Sequence, residues 1–224
     1  MRAFIVGNGP SLVPEDLDRI VGEIAFASNY INLLYDRTVW RPRFWVTVET
    51  PNFFETMMHL DQGYRCFLTT NRADKVERHR SPFRLVENLS YLPACEHIWQ
   101  FKWPGKHPPA TIEFGDRPHP ICMYGGSGIA SIQLAIMGGF SPIVLLGHDG
   151  LYLPPDESGD RSHFDRSYLN EHDLADEAEM RTATMLDAHE KMSAAAKVRG
   201  VEIINATRGG ILESYPRVVL EEIL

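Results

Sequence analysis

Apolar residues in this chain come in short solid blocks rather than in alternating patterns. Ala3-Phe4-Ile5-Val6, Ile24 to Ala27, Phe44 to Val48, Cys66 to Leu68, Ile143 to Leu146 and Ile203-Ile204 each read as a strand buried on both faces. Between them lie helical patterns: Glu15 to Val21, one or two turns at Ile31 to Tyr35, Phe53 to Leu60, and Ser127 to Met137. A long helix is expected from Asp173 to Val198, with Ala178, Met185 and Met192 seven residues apart and Gly200 placed to cap its end. Strands alternating with helices predict an α/β fold, a mostly parallel sheet with helices on both faces. Two stretches break the rhythm. Residues 71–120 are rich in Pro, His, Arg and aromatics and read as an irregular lid or insertion, and Gly150 to Asn170 is a second irregular segment.

Length and composition keep this picture. The 224 residues suit one domain spanning 1–224, and 44% hydrophobic with 23% charged residues is ordinary for a folded chain. A formal net charge of −8 excludes nonspecific duplex binding, which needs an excess of Lys and Arg, so no nucleic-acid partner is expected. Cys66, Cys95 and Cys122 make neither a metal pair nor an even disulfide framework, which favours a reducing compartment. No apolar window approaches a transmembrane segment and no targeting signal precedes the first strand, so the expected location is cytoplasmic. Oligomeric state is open, a homo-oligomer included.

Chemistry-bearing residues gather at the ends of these strands. Gly7-Asn8-Gly9-Pro10-Ser11-Leu12 follows the first strand, where glycines let the backbone turn sharply and approach a ligand. A helix starting there would present free N–H groups to a phosphate. Leu12 stands where a nicotinamide fingerprint wants Gly or Ala, the second strand ends in Ser28-Asn29 rather than an acidic residue, and no Lys follows as in a Walker A loop. Tyr124-Gly125-Gly126-Ser127-Gly128 is a second glycine turn opening a helix of small residues. Two such turns would lie side by side at the carboxyl edge of the sheet.

Gly147-His148-Asp149-Gly150 places a His and an Asp at another strand end, as acid, base or metal ligand. Arg161-Ser162-His163-Phe164-Asp165 lies in the irregular segment, with Tyr168 and His172 beyond it. A histidine there can take a proton from an acceptor hydroxyl. In Asn205-Ala206-Thr207-Arg208, Asn205 and Thr207 are candidates for a base or sugar and Arg208 for a phosphate.

The opening GNGPSL, Asn29 at the second strand end, the GSG with its small-residue helix and the strand leading to Gly147-x-Asp149 resemble two related groups. These are the MptE-like family, named for 6-hydroxymethylpterin diphosphokinase, and the bacterial lipooligosaccharide sialyltransferases. Ser162-His163-Phe164, Asn205-Ala206-Thr207 and Glu213 to Pro216 look more like the small bacterial MptE-like proteins, and residues 55–120 have no counterpart. The resemblance implies a modified Rossmann-type sheet. By it, Asn8, Gly9, Ser11, Asn29, Ser127 and Gly128 would hold a cytidine nucleotide, and Tyr152 would assist the departing phosphate. The sialyltransferase base lies a few residues beyond a Ser-His-aromatic run. In this chain His163 belongs to the run itself and His172 is the later histidine, so both are carried as bases.

The expected function is therefore a nucleotide-dependent transferase. The first reading is a glycosyltransferase moving a sugar from a CMP- or other nucleotide-sugar to a small hydroxyl acceptor, with no metal cofactor. The second is an MptE-like pyrophosphokinase that transfers diphosphate from ATP to a hydroxymethylpterin-type acceptor, with Mg2+ held by Asp149. A third is a nucleotide-binding module without catalysis, and a dinucleotide oxidoreductase is a distant fourth.

Overall fold

A computed structural model describes residues 1–47, 65–70, 89–93, 124–168 and 177–224, with side chains in all but 65–70 and 89–93. Seven parallel strands form one sheet: β1 Ala3–Val6, β2 Ala25–Ser28, β3 Phe44–Thr47, β4 Arg65–Thr70, β5 Leu89–Pro93, β6 Ile143–Leu146 and β7 Ile203–Asn205. Their order across the sheet is β5-β4-β3-β2-β1-β6-β7. The chain thus walks outward from β1 in one direction, then returns to β1 and walks the other way. Phe4 pairs with Ala25 on one side and Val144 on the other, so the reversal falls between β1 and β6. Open α/β sheets bind ligands at the carboxyl ends of the strands at such a reversal.

The solid apolar blocks are explained by burial on both faces. Ala3, Ile5, Phe26, Val46, Ile143, Leu145 and Ile203 point into one core layer. Phe4, Val6, Ala25, Ala27, Trp45, Val144, Leu146 and Ile204 point into the other, the alternation a strand imposes. Each fully buried Ile, Leu or Phe among them stabilises the fold by roughly 1.5–3 kcal/mol. The first layer is closed by α2 (Gly126–Met137) and α3 (Ala178–Val198), the second by α1 (Pro14–Arg19) and a 3₁₀ helix at Asn29–Leu34. Nearly every residue of α2 from Ser127 to Ile136 is buried, because the helix lies between the sheet and α3. Ala188, Met192 and Ala196 form the side of α3 that meets the core. Gly200 closes α3 in the left-handed conformation, with φ +66° and its N–H on Lys197 O.

Most expected elements lie within a residue or two of their predicted bounds. α1 begins at Pro14, a residue suited to a first helical turn, and ends at Arg19 rather than Val21. The expected irregular insertion at 71–120 is amended at Leu89–Pro93, which forms one of the two edge strands of the described sheet, with proline at its last paired position. The rest of 71–120, the helix expected at Phe53 to Leu60 and the first residues of the helix expected from Asp173 lie outside the described residues.

Candidate functional site

The turn after β1 and the turn after β6 are fitted into each other. Gly7 N–H donates to Leu146 O at 2.7 Å and Gly9 N–H to Gly147 O at 2.9 Å. A Cβ on Gly7 would lie 2.5 Å from Gly147 O, and one on Gly9 would lie 1.9 Å from Asp149 Oδ2. Gly147 itself has φ +66°, a conformation open to glycine at little cost. The Ser11 hydroxyl donates to Asp149 Oδ2 at 2.9 Å, tying the two turns together. Burial holds the Asp149 carboxyl above its ordinary range, against the opposing pull of the Ser11 hydrogen bonds and the Arg217 charge. Among the described residues no three His, Cys, Asp or Glu side chains gather as a metal site.

His148 is not exposed at this edge. Its ring packs beneath both glycine turns, since a Cβ on Gly7 would meet Cδ2 at 3.0 Å and one on Gly128 would meet Cε1 at 2.9 Å. Burial lowers its pKa to about 4, so the imidazole is neutral, and its Nε2 has no hydrogen-bond partner among the described residues. The ring meets His189 edge-on at 5.6 Å, and His189 Nδ1 lies 3.0 Å from the Tyr215 hydroxyl. His148, expected as acid, base or metal ligand, is buried between the two glycine turns.

Asn8 and Asn29 carry the polar wall. Asn8 Nδ2 donates to Ser28 O at 3.0 Å and to the Tyr168 hydroxyl at 2.6 Å, while its Oδ1 is buried without a partner among the described residues. Asn29 sits in the left-handed region with φ +48°, the only described non-glycine residue to do so, as Asn does more readily than most. Its Oδ1 accepts the Thr47 hydroxyl at 3.0 Å and the Ser127 hydroxyl at 3.2 Å, and Trp45 Nε1 donates to its backbone oxygen at 2.9 Å. One side chain therefore joins the ends of β2 and β3 to the first turn of α2. Gly125 and Gly126, with φ +87° and +80°, let the chain enter α2 so that Ser127 arrives there, which puts the N-terminus of α2 beside Asn29.

The irregular segment folds back over this wall. Phe164 N–H donates to Asn8 O at 3.0 Å, so the Ser-His-Phe run is docked on the β1 turn. Ser162 clasps the chain near Tyr152: its hydroxyl accepts from Leu153 N–H at 2.9 Å and donates to Leu153 O at 3.0 Å. The His163 ring stacks on the Tyr168 ring at 3.8 Å and 3°, and Tyr152 approaches it edge-on at 6.0 Å. His163 Nδ1 lies 2.8 Å from Asp160 Oδ2. Burial drives the Tyr168 phenol far up, so its hydroxyl stays protonated against the Asn8 and Asn29 amides and the Tyr30 backbone that hold it.

The sites expected from the sequence thus divide. Gly7, Asn8, Gly9, Ser11, Asn29, Gly126, Ser127, Gly128, Asp149, Tyr152 and His163 all belong to elements at the carboxyl edge around β1 and β6. Asn205 and Thr207 have their polar groups committed within the fold. Asn205 is fully buried, donates to Leu212 O and accepts Thr207 N–H, and Thr207 Oγ1 accepts His148 N–H. These bonds tie the ends of β6 and β7 together. Arg208 grips the Asp16 carboxylate through Nε and Nη2 and keeps half of its side chain exposed. His172 lies outside the described residues. Asp160 and the hydroxyl role of Tyr168 were missed, although a carboxylate three residues before a loop histidine was the available signal.

No protein-family model and no curated protein matches the sequence. Solved structures do match its fold. The MAf glycosyltransferase from Magnetospirillum magneticum AMB-1 is 14% identical with a TM-score of 0.54, over 98% of this chain and 34% of that one. The Campylobacter jejuni sialyltransferase CstII with the substrate analogue CMP-3FNeuAc is 16% identical with a TM-score of 0.54, over 97% of this chain and 85% of that one. A variant of the CST-II sialyltransferase with CMP is 16% identical with a TM-score of 0.55, over 97% and 86%. This chain spans about a third of the Magnetospirillum enzyme, and no family or curated match supports the MptE-like side of the resemblance. At these identities a common fold is what is shared: the chain has the Rossmann-like α/β fold of these glycosyl- and sialyltransferases.

Proposed function

We propose that this chain is a glycosyltransferase that moves a sugar from a nucleotide-sugar, most simply a CMP-sugar, to a small hydroxyl acceptor. The observation that carries the reading is the Phe164 N–H to Asn8 O bond, which docks the histidine loop on the very turn suited to hold a donor. A nucleotide would lie across the strand reversal, its phosphate toward the N–H groups of the α2 first turn and its polar edges toward Asn8 and Asn29. Transfer then needs the acceptor O–H to lose its proton to His163 while the acceptor oxygen bonds to the anomeric carbon. The bond from that carbon to the nucleotide phosphate breaks, and the electron pair leaves on the phosphate oxygen. Tyr152, edge-on to His163, would donate to that leaving group. The CMP compounds bound by the fold-related sialyltransferases support a cytidine donor.

The test is calorimetry with CMP, CTP and ATP, each with and without magnesium, followed by turnover of CMP-sugars. Metal-independent preference for cytidine nucleotides, and turnover abolished in His163→Ala, support the proposal. Magnesium-dependent preference for ATP would replace it with pyrophosphoryl transfer, in which Asp149 would hold the metal. Binding with no turnover of any donor would leave a nucleotide-binding module.

A further inference from the structure

We infer that Asp160 is a positioning residue that fixes His163 as the Nδ1–H tautomer and leaves Nε2 as the proton-accepting atom of the site. This rests on the transferase reading above, but the geometry behind it does not depend on a donor.

Asp160 is 3% exposed, deep for a carboxylate in an irregular segment. Its two oxygens are divided. Oδ1 accepts Ser162 N–H at 2.6 Å, and Oδ2 faces His163 Nδ1 at 2.8 Å. An ionised carboxylate has no proton to give, so the proton in the second contact belongs to the imidazole. Asp160 is itself seated by the backbone, its N–H on Arg166 O at 2.9 Å and its carbonyl on Arg166 Nη1 at 3.2 Å. Burial pushes the Asp160 carboxyl up, yet the His163 hydrogen bond and charge, with the Ser162 and His163 backbone, outweigh it and hold it below the ordinary range.

The imidazole is thereby fixed in two directions. Asp160 holds it in its own plane, and the Tyr168 ring, parallel at 3.8 Å, holds its face. Nε2 has no protein partner among the described residues, and the side chain keeps 13% exposure. A neutral histidine with its proton fixed on Nδ1 has its lone pair on Nε2, the arrangement a general base needs. The groups facing the ring are Asp160, Tyr152 and Tyr168, with Arg166 behind Asp160 and Asp156 paired to Arg161 and Arg166. Asp160 is the carboxylate among these that touches the ring.

The experiment is nitrogen-15 NMR of the His163 ring in the full chain, assigned by its loss in His163→Ala, together with kinetics of Asp160→Asn. The wild-type neutral ring should show the Nδ1–H tautomer. In Asp160→Asn the amide oxygen stays on Ser162 N–H, the amide nitrogen faces Nδ1, and the tautomer should invert. With it kcat should fall roughly 100-fold, the scale of a general base, while KM for the donor stays within about twofold. A wild-type ring carrying its proton on Nε2 overturns the inference, even where Asp160→Asn fails to fold. So does an inverted tautomer with unchanged kcat. The tautomer is read without substrate, so it stands apart from the transferase reading, whose base assignment fails if His163→Ala retains turnover.

Discussion

A methyl group on Gly9 would lie 1.9 Å from Asp149 Oδ2, inside any real contact distance, so the β1 turn exists in its present form only because residue 9 has no side chain. Gly9→Ala must push the two turns apart, at a cost of about 1–3 kcal/mol for a forced backbone shift. Gly22→Ala is the comparison: a Cβ there meets nothing within 4 Å and only its φ of +88° resists, at about 1–2 kcal/mol. Urea midpoints should fall in both. Nucleotide affinity should fall only in Gly9→Ala.

Asn29 combines a left-handed backbone with hydrogen bonds to Thr47, Ser127 and Trp45, and two substitutions separate these. Asn29→Gly relieves the left-handed φ but loses the acceptor shared by Thr47 and Ser127. Asn29→Ala loses the acceptor and keeps the strain, so it should be the less stable of the two by about 1 kcal/mol. Both should bind CMP at least tenfold more weakly by calorimetry. Equal CMP affinity in wild type and Asn29→Gly would remove Asn29 from the donor site.

The paired histidines beneath the turns predict acid sensitivity. Burial depresses both: His148 from 6.5 to about 4, His189 well below its ordinary value with the His148 charge adding to the effect. A histidine with a lowered folded pKa contributes stability that is complete above 6.5 and is lost as pH falls toward the folded value. For His148 that drop corresponds to about 3 kcal/mol, at 1.36 kcal/mol per pH unit. His148→Leu should therefore lose less stability than wild type between pH 7 and pH 4.5, by more than about 1 kcal/mol. Denaturant midpoints across that range measure it.

Tyr168→Phe keeps the ring against His163 and deletes the hydroxyl that receives Asn8 Nδ2. Leaving that buried donor without its acceptor should cost about 1–3 kcal/mol. The His163 tautomer should be unchanged in the same variant, because Asp160 rather than Tyr168 sets it. An inverted tautomer in Tyr168→Phe would show that the Tyr168 hydroxyl and its hydrogen bonds, not the carboxylate, fix the ring.

The sheet was legible because parallel strands buried on both faces leave a mark no surface element leaves: four apolar residues stopped by glycine, as at Val6-Gly7 and Leu146-Gly147. The strand-end residues Asn8, Asn29, Ser127 and Asp149 were legible for the same reason. What such positions do was not. Asn205 and Asn29 both follow apolar runs, yet one spends its amide on Leu212 and Thr207 inside the fold while the other joins β2, β3 and α2 at the candidate site. Arg208 read as a free cation because its partner, Asp16, is 192 residues away. Asp160 was passed over because a carboxylate in a Pro- and Gly-bearing loop looks solvated until the fold buries it.

The reversal of the sheet at β1 has a consequence for how the chain is made. Of the described strands β1 is made first, gains β2 next, and lacks its other neighbour until β6, the sixth, has been made. Until then one row of its peptide groups is an unclaimed edge, of the kind that invites pairing with another chain. Asn8, in the first turn to be made, waits on Phe164 and Tyr168, and Asp16 waits on Arg208. The candidate site therefore cannot be complete until the segment through Tyr168 has been made. Its closure has to wait for residues more than 150 positions further along the chain, and long-range closure of this kind makes folding slow.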